Sequence, residues 1–467
     1  MTFERATDLN SIYSAFGPEP LDASQLPEFY SDALNVCRNN NLYRRMCGDL
    51  VRSADRRLFF KGVLYGNRGT GKSTEINRLL DSADVKSRFV PVRIDATSDL
   101  NVRSFSIIDF LMVMIPNLIE SCEAKCKEIG VAFHEAGTML RDLRSTLAPF
   151  FPVLQDRVQT GNTADAGVEL NLMQLAKLSA RIGTQRKVDL ANETQGLAEL
   201  GRALDRYVGA IIAHLPNHQF LIVGENFDRE QVSREMLANT FIEFSGIFRD
   251  LRLHLLFTLP VPFVNAHKAS IPFRRENQYP IYDIPVCDAL HRTDPSGTQA
   301  LRSLIARRAD LALFDDSALD LLIRASGGDL SRLFSTIQMS ADMAYYRHAD
   351  YPGTEARVLF PDARRIVLEQ LGMFRQEMGV DPDDPDDAPW SDKRDRLRAI
   401  YEQAPDADVP NPVLYHLLRR RAVLYFNGKG RYGIHPLAAE MLREQLDGRD
   451  ATFRYKGGGL ELPDLGQ

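Results

Sequence analysis

Four short stretches of the chain are almost continuously apolar, and polar or turn-forming residues bound each of them. Residues 58–65, 89–95, 220–224 and 253–258 have the length of strands and are rich in β-branched and aromatic side chains. Because their apolar positions run on rather than alternate, they predict strands covered on both faces. A shorter run of the same kind occupies 282–286. Between them the period changes. Residues 105–119 form an apolar helical stretch, and Leu197, Leu200, Leu204, Val208, Ile211, Ile212 and Leu215 recur at helical spacing. Strands alternating with helices predict an α/β fold built on a parallel sheet with helices on both faces.

After about residue 287 the strand signals stop, and 298–309, 316–325 and 330–348 read as helices. The proline-punctuated acidic stretch 380–389 cannot form regular structure and reads as a linker. Beyond it come a helix at 412–420, a hairpin signal (Ala422 to Phe426, then Asn427-Gly428, then Arg431 to Ile434) and a last helix at 436–446. Helix, hairpin and helix in that order are the ending of a winged helix-turn-helix. The expected organisation is an N-terminal helical segment (1–57), a core (58–286) with an insertion at about 120–195, a helical lid (287–375), an acidic linker (376–395), a winged helix (396–449) and a flexible tail (450–467).

The first strand runs into Gly66-Asn67-Arg68-Gly69-Thr70-Gly71-Lys72-Ser73-Thr74, which fits G-x-x-x-x-G-K-[ST] at every fixed position. A helical pattern follows at once, with Ile76, Leu79 and Leu80 on one face. Strand, glycine loop and helix form a phosphate-binding loop: glycines let backbone N–H groups converge, and the helix presents its positive end. Lys72 is expected at the β- and γ-phosphates of ATP and Ser73 on Mg²⁺.

Hydrolysis also needs a carboxylate at the end of a neighbouring strand, and 220–224 runs into Glu225-Asn226-Phe227-Asp228-Arg229. In one alignment Gly224 replaces the metal-associated aspartate and Glu225 is the general base. In the other Glu225 serves the metal and Asp228 orients the attacking water; the order of Phe227, Asp228 and Arg229 favours this second alignment. Thr258 ends the next strand with a hydroxyl suited to sensing the γ-phosphate. Arg332, one turn into the helix after Ser326-Gly327-Gly328-Asp329, is a candidate to reach the nucleotide from the lid. Arg274 and Arg275 are candidates for an arginine finger supplied to a neighbouring subunit.

Composition narrows the reading. The 467 residues are 44% hydrophobic and 26% charged with a net charge of −6, which suits a soluble multidomain protein. The start has no basic segment followed by an apolar core, and no apolar run approaches a membrane span, so a cytoplasmic protein without membrane contact is expected. The five cysteines form no C-x-x-C pair; Cys122 and Cys126 share a helix face as two half-buried thiols. Charge is uneven, however. Residues 413–456 carry nine Lys/Arg against four acidic residues, which makes Arg419, Arg420, Arg421, Lys429 and Arg431 candidates for DNA contact. Protease and nuclease signatures such as G-x-S-x-G, H-E-x-x-H or paired metal ligands are absent.

The ordered set of blocks resembles the AAA-like and STAND-like P-loop ATPases of prokaryotic conflict systems and their origin-recognition relatives. The resemblance spans about 40–447 and is carried by 64–75, 221–229, 256–260, 327–332 and 433–437. It implies ATP and Mg²⁺ held between core and lid, and homo-oligomerisation or altered domain packing that passes the nucleotide state to an effector or to DNA. Two functions follow: an ATP-hydrolysing switch, in an antiphage setting, or a DNA-binding regulator of the initiator or transposition type.

Overall fold

The computed structural model describes residues 4–103, 105–131, 201–202, 204–206, 208–213, 215, 217–287, 292–380, 387–427 and 432–446. Its longer elements, in chain order, are α1 (Leu42–Asp55), β1 (Lys61–Tyr65), α2 (Lys72–Asp81), β2 (Phe89–Asp95), α3 (Ile107–Glu128), β3 (Gln219–Glu225), β4 (His254–Leu259), β5 (Gln278–Pro280), α4 (Pro295–Arg308), α5 (Asp316–Ala325), α6 (Leu330–Asp350), α7 (Phe360–Glu377), α8 (Trp390–Tyr401), α9 (Pro412–Arg419), β6 (Val423–Tyr425), β7 (Tyr432–Ile434) and α10 (Pro436–Leu446). The chain divides into two compact units. One comprises Tyr43–Tyr65 and Leu79–Tyr279; the other comprises Met1–Leu42, Gly66–Arg78 and Pro280–Gln467.

The first unit is built on the sheet, with strand order β2-β3-β4-β1-β5. The pairs β2–β3, β3–β4 and β4–β1 are parallel, as the unbroken apolar runs predict. β1 and β4 are buried at every position and β3 at all but its first. β2 alternates between buried and exposed because it lies at the sheet edge, where Pro91, which has no N–H to donate, is tolerated. Side chains from α3, β4 and the turn and short helices between β3 and β4 fuse into one phenylalanine cluster. Phe241 lies 5.0 Å from Phe257, Phe227 5.6 Å from Phe257 and Phe110 5.6 Å from Phe248, ring centre to ring centre, and all five are fully buried.

Two strand expectations need correction. β1 begins at Lys61 rather than 58, because Arg57 turns left-handed at φ 56° and the Leu58 N–H closes the end of α1 on Ser53 O at 2.8 Å. Leu58 and Phe59 are consequently exposed. The fifth strand is Gln278–Pro280, not 282–286. In the latter segment the Asp283 N–H donates to Tyr425 O at 2.9 Å, so its backbone serves the C-terminal hairpin strand.

The second unit carries α4 to α10 and the antiparallel hairpin β6–β7. The N-terminal residues belong to it. Arg308 donates to Ala15 O at 2.9 Å, and Phe16 packs edge-on against Phe334 at 5.4 Å. The expected acidic linker is shorter than the composition suggests: α7 runs to Glu377 and α8 already starts at Trp390. Asp387 has no exposed side-chain surface: it pairs with Lys393 at 2.7 Å and lies 3.0 Å from the His416 ring. Residues 381–386, the bulk of the expected insertion (132–195) and the tail 450–467 lie outside the described residues.

Candidate nucleotide site

The glycine loop is the first part of the site to consider, and it belongs to the helical unit. Gly69 and Gly71 have φ of +77° and +92°, values that let the loop curl inward and that a side chain would resist. The Thr70 hydroxyl donates to Asn67 O at 2.8 Å and fixes the curl. The Lys72 ammonium is drawn into the loop, donating to Gly66 O at 2.9 Å and Asn67 O at 2.7 Å, and the residue is buried. Arg68 is exposed, and Ser73 and Thr74, half-buried, stand on the first turn of α2.

The N-terminal segment braces this loop from behind. Buried Arg38 donates to Thr70 O at 2.8 Å. The Tyr30 hydroxyl donates to Glu75 at 2.5 Å and receives a bond from Arg78 at 2.7 Å, with the Arg78 guanidinium over the Tyr30 ring. Burial, then the Glu75 carboxylate, pushes the Tyr30 phenol well above its ordinary value, so it stays a donor.

On its other side the loop meets two carboxylates and one arginine that the sequence did not bring together. Asn67 donates to Asp283 at 2.6 Å, and the Tyr425 N–H reaches the same carboxylate oxygen at 2.7 Å. The Leu330 N–H donates to Gly69 O at 3.3 Å, and Asp329, at the start of α6, lies directly against Gly69. Arg421, from the turn between α9 and β6, pairs with Asp329 and lies 3.7 Å from Asp283. Burial pushes the Asp283 carboxyl up, and Arg421 pulls it back down. A cavity of about 290 Å³ adjoins this cluster, lined by Arg38, Tyr282, Asp283, Leu424, Tyr432 and Ile434 among others. A lone carboxylate in an apolar run was the sequence signal for Asp283. Nothing local marked Arg38.

Arg332 takes a different course from the one expected. Its guanidinium turns to α7, bonding Gln370 at 3.2 Å, lying 3.9 Å from Glu377 and over the Phe374 ring at 5.4 Å. The arginine against the loop is Arg421. That also corrects its expected role as a DNA contact, because a side chain 9% exposed between two carboxylates offers no surface to a phosphate backbone. Arg419 contacts His416 at 3.2 Å, Arg420 is half-buried, and Lys429 and Arg431 lie outside the described residues.

In the sheet unit, Glu225 ends β3 opposite Asp95 of β2. It is buried and pairs with Arg93 at 2.8 Å. Gly224 has a packing reason: a Cβ there would fall 2.6 Å from a Phe257 ring carbon and 3.0 Å from Phe227. A side chain at 224 would crowd these rings, which leaves Glu225, the last residue of β3, as the first carboxylate at the strand's end. Asn226 then turns left-handed at φ 60° and donates to Asp95 at 2.5 Å, while Arg229 holds its amide oxygen at 2.9 Å. Asp228 is half-buried in the same turn. Thr258 pairs across the sheet with Leu64, and its hydroxyl donates to Gly224 O at 3.4 Å. Thus β1 ends level with Thr258 and Leu259. Arg274 and Arg275 are exposed.

No family model matches the chain. No curated protein matches it. Solved structures do. The Walker-type ATPase PABY2304 of Pyrococcus abyssi is 15% identical over 92% of this chain and 99% of its own, with a TM-score of 0.38. Cdc6p from Pyrobaculum aerophilum is 12% identical over 93% and 98%, at 0.38. Drosophila ORC bound to DNA is 11% identical over 97% and 87%, at 0.40. Likeness at this level leaves the chemistry to be read from the chain's own residues. Among the described residues no helix is long and apolar enough to cross a membrane, and no three His, Cys, Asp or Glu side chains group as a metal site.

Proposed function

We propose that the chain is an ATP-binding and ATP-hydrolysing switch, in which residues 66–74 hold the phosphates and the state of that loop is passed to the C-terminal hairpin region. The observation that supports it most is the loop itself. It has two glycines at left-handed φ, a lysine ammonium drawn inside it, and side chains of the N-terminal segment, of α6 and of the α9–β6 turn against it. ATP is the substrate, with Lys72 neutralising phosphate charge and Ser73 ligating Mg²⁺. Glu225 holds the metal's water shell while Asp228 orients the attacking water or, in the alternative assignment, Glu225 accepts that water's proton. Thr258 is the candidate γ-phosphate sensor, and Arg274 and Arg275 are candidates for a finger toward a second copy.

Glu225→Gln tests the hydrolytic half. It should bind ATP as the unaltered chain does and lose turnover by at least about 100-fold. Turnover retained in that variant would move the reaction elsewhere. Mass in solution with and without ATP and Mg²⁺ tests oligomerisation. The DNA-binding alternative keeps only Arg419 and Arg420 among the described basic residues, and it predicts salt-sensitive, ATP-enhanced duplex binding. The antiphage setting rests on the sequence resemblance alone.

A further inference from the structure

The cluster at Gly69 is poorly satisfied for a buried ion pair. Arg421 has five N–H donors, yet its Nε and Nη2 make no hydrogen bond among the described residues, and neither do Asp283 Oδ1 and Asp329 Oδ1. Two carboxylates share one guanidinium, and all three side chains are at least nine-tenths buried. Arg421 Nη1 also lies 2.6 Å from where a Cβ on Gly69 would stand, so its donors lie against the phosphate loop. A buried pair pays for its desolvation only with good geometry and full hydrogen bonding, and this one lacks the second.

We propose that Arg421 is a phosphate-binding residue of the nucleotide site, which exchanges the Asp329 carboxylate for a phosphate of the bound nucleotide. This rests on the nucleotide reading above and adds to it the residue that carries the signal. A phosphate held at Gly69 repels the Asp329 carboxylate beside it and offers Arg421 the bidentate acceptor it lacks. The consequence for the fold is short-ranged. Arg421 lies two positions before β6, and Tyr425 at the end of β6 is tied by both its N–H and its carbonyl to Asp283, which also accepts from Asn67 of the loop. Moving the guanidinium off Asp329 therefore pulls on the hairpin at the strand that Asp283 anchors to the loop.

Asp329 is the partner to alter, in the presence and in the absence of Arg421. If Arg421 is only the counter-ion of Asp329, Asp329→Asn relieves repulsion of the phosphate as much in an Arg421→Gln chain as in the unaltered one. If the two compete for phosphate, Asp329→Asn also releases the guanidinium, so it tightens binding more in the unaltered chain than in Arg421→Gln. The experiment is calorimetric titration of the full chain with ADP and with ATP–Mg²⁺. The expected result is that Arg421→Ala weakens binding by about 10-fold or more, while Asp329→Asn tightens it by several-fold in the unaltered chain and by less in Arg421→Gln. Should Arg421→Ala fail to fold, the double variant Arg421→Gln/Asp329→Asn leaves the net charge of the cluster unchanged and should also bind more weakly than the unaltered chain. In parallel, amide exchange at 423–425 and 432–434 should change when nucleotide binds the unaltered chain and not when it binds Arg421→Ala or the double variant. Arg421→Ala or the double variant binding within 2-fold of the unaltered chain, or Asp329→Asn tightening binding no more in the unaltered chain than in Arg421→Gln, would overturn the exchange and leave nucleotide binding intact. An unaltered chain that takes up no nucleotide would overturn both.

Discussion

Arg421 and Asp329 are ion-paired over Gly69, though 92 positions separate them in the chain. Neither residue lies in the glycine motif, yet between them they occupy the space a side chain at 69 would need. Gly69→Ala therefore meets two costs: a left-handed φ, about 1–2 kcal/mol for an L-residue, and a Cβ driven into the ion pair. The expected outcome is a lower urea midpoint together with loss of ATP binding. A variant as stable as the unaltered chain would mean that the loop is not clasped there.

Gly224→Asp makes the strand end look more like a standard acidic motif, and should make the protein worse. The Phe257 and Phe227 rings fill the place of the new side chain, and overpacking a filled core costs about 1–3 kcal/mol. Thermal unfolding should move down, with no gain in ATPase rate. A faster, equally stable enzyme would contradict the packing account.

Arg93 holds the Glu225 carboxylate on the sheet-edge side at 2.8 Å, and its own side chain is 47% exposed. Such a half-exposed pair is worth about 0–1 kcal/mol. Arg93→Ala should leave stability nearly unchanged and release the carboxylate for catalysis, raising turnover by about 2- to 5-fold. A fall in turnover would show that Arg93 serves the reaction rather than restraining it.

His254 is buried beneath the sheet end, with Nδ1 accepting from the Phe60 N–H at 3.1 Å and Nε2 bonded to Gln219 at 2.5 Å. That pattern needs the neutral ring. Burial, with Lys61 nearby, lowers its pKa from 6.5 to about 3. Above pH 6.5 neither state holds the proton. As pH falls below that value the unfolded chain gains one while the folded chain does not, so stability is lost progressively down to about pH 3. His416, lowered to about 4 by burial, acts in the same direction. Urea midpoints should fall between pH 7 and pH 5, and His254→Gln should remove about one proton from the uptake on unfolding at pH 5. An unchanged uptake would place the titration elsewhere.

The parallel sheet was legible because burial on both faces leaves unbroken apolar runs, and three of the four long runs matched their strands within two residues at either end. β5 was not, because three residues ending in proline carry no period, whereas 282–286 has the composition of a strand and spends its hydrogen bonds on Tyr425. The glycine loop and Glu225 are local motifs and could be read directly. The setting of the loop could not. Arg38, Asp283, Asp329 and Arg421 reach it from four separate segments, and charge counting assigned Arg421 to the solvent face of a basic patch. The acidic stretch misled for a related reason: repulsion between carboxylates argues for solvation, but Asp387 has Lys393 and His416 as buried partners.

ATP binding to the Lys72→Ala chain is the most direct measurement of the central claim. The Lys72 ammonium donates to the loop's own Gly66 and Asn67 carbonyls, and thermal unfolding of the variant checks that it folds. Its calorimetric titration with ATP–Mg²⁺ should then show affinity reduced by at least about 30-fold, the cost of removing one member of a desolvated charge pair. A folded Lys72→Ala chain that binds ATP as tightly as the unaltered one would contradict the claim that residues 66–74 grip the phosphates.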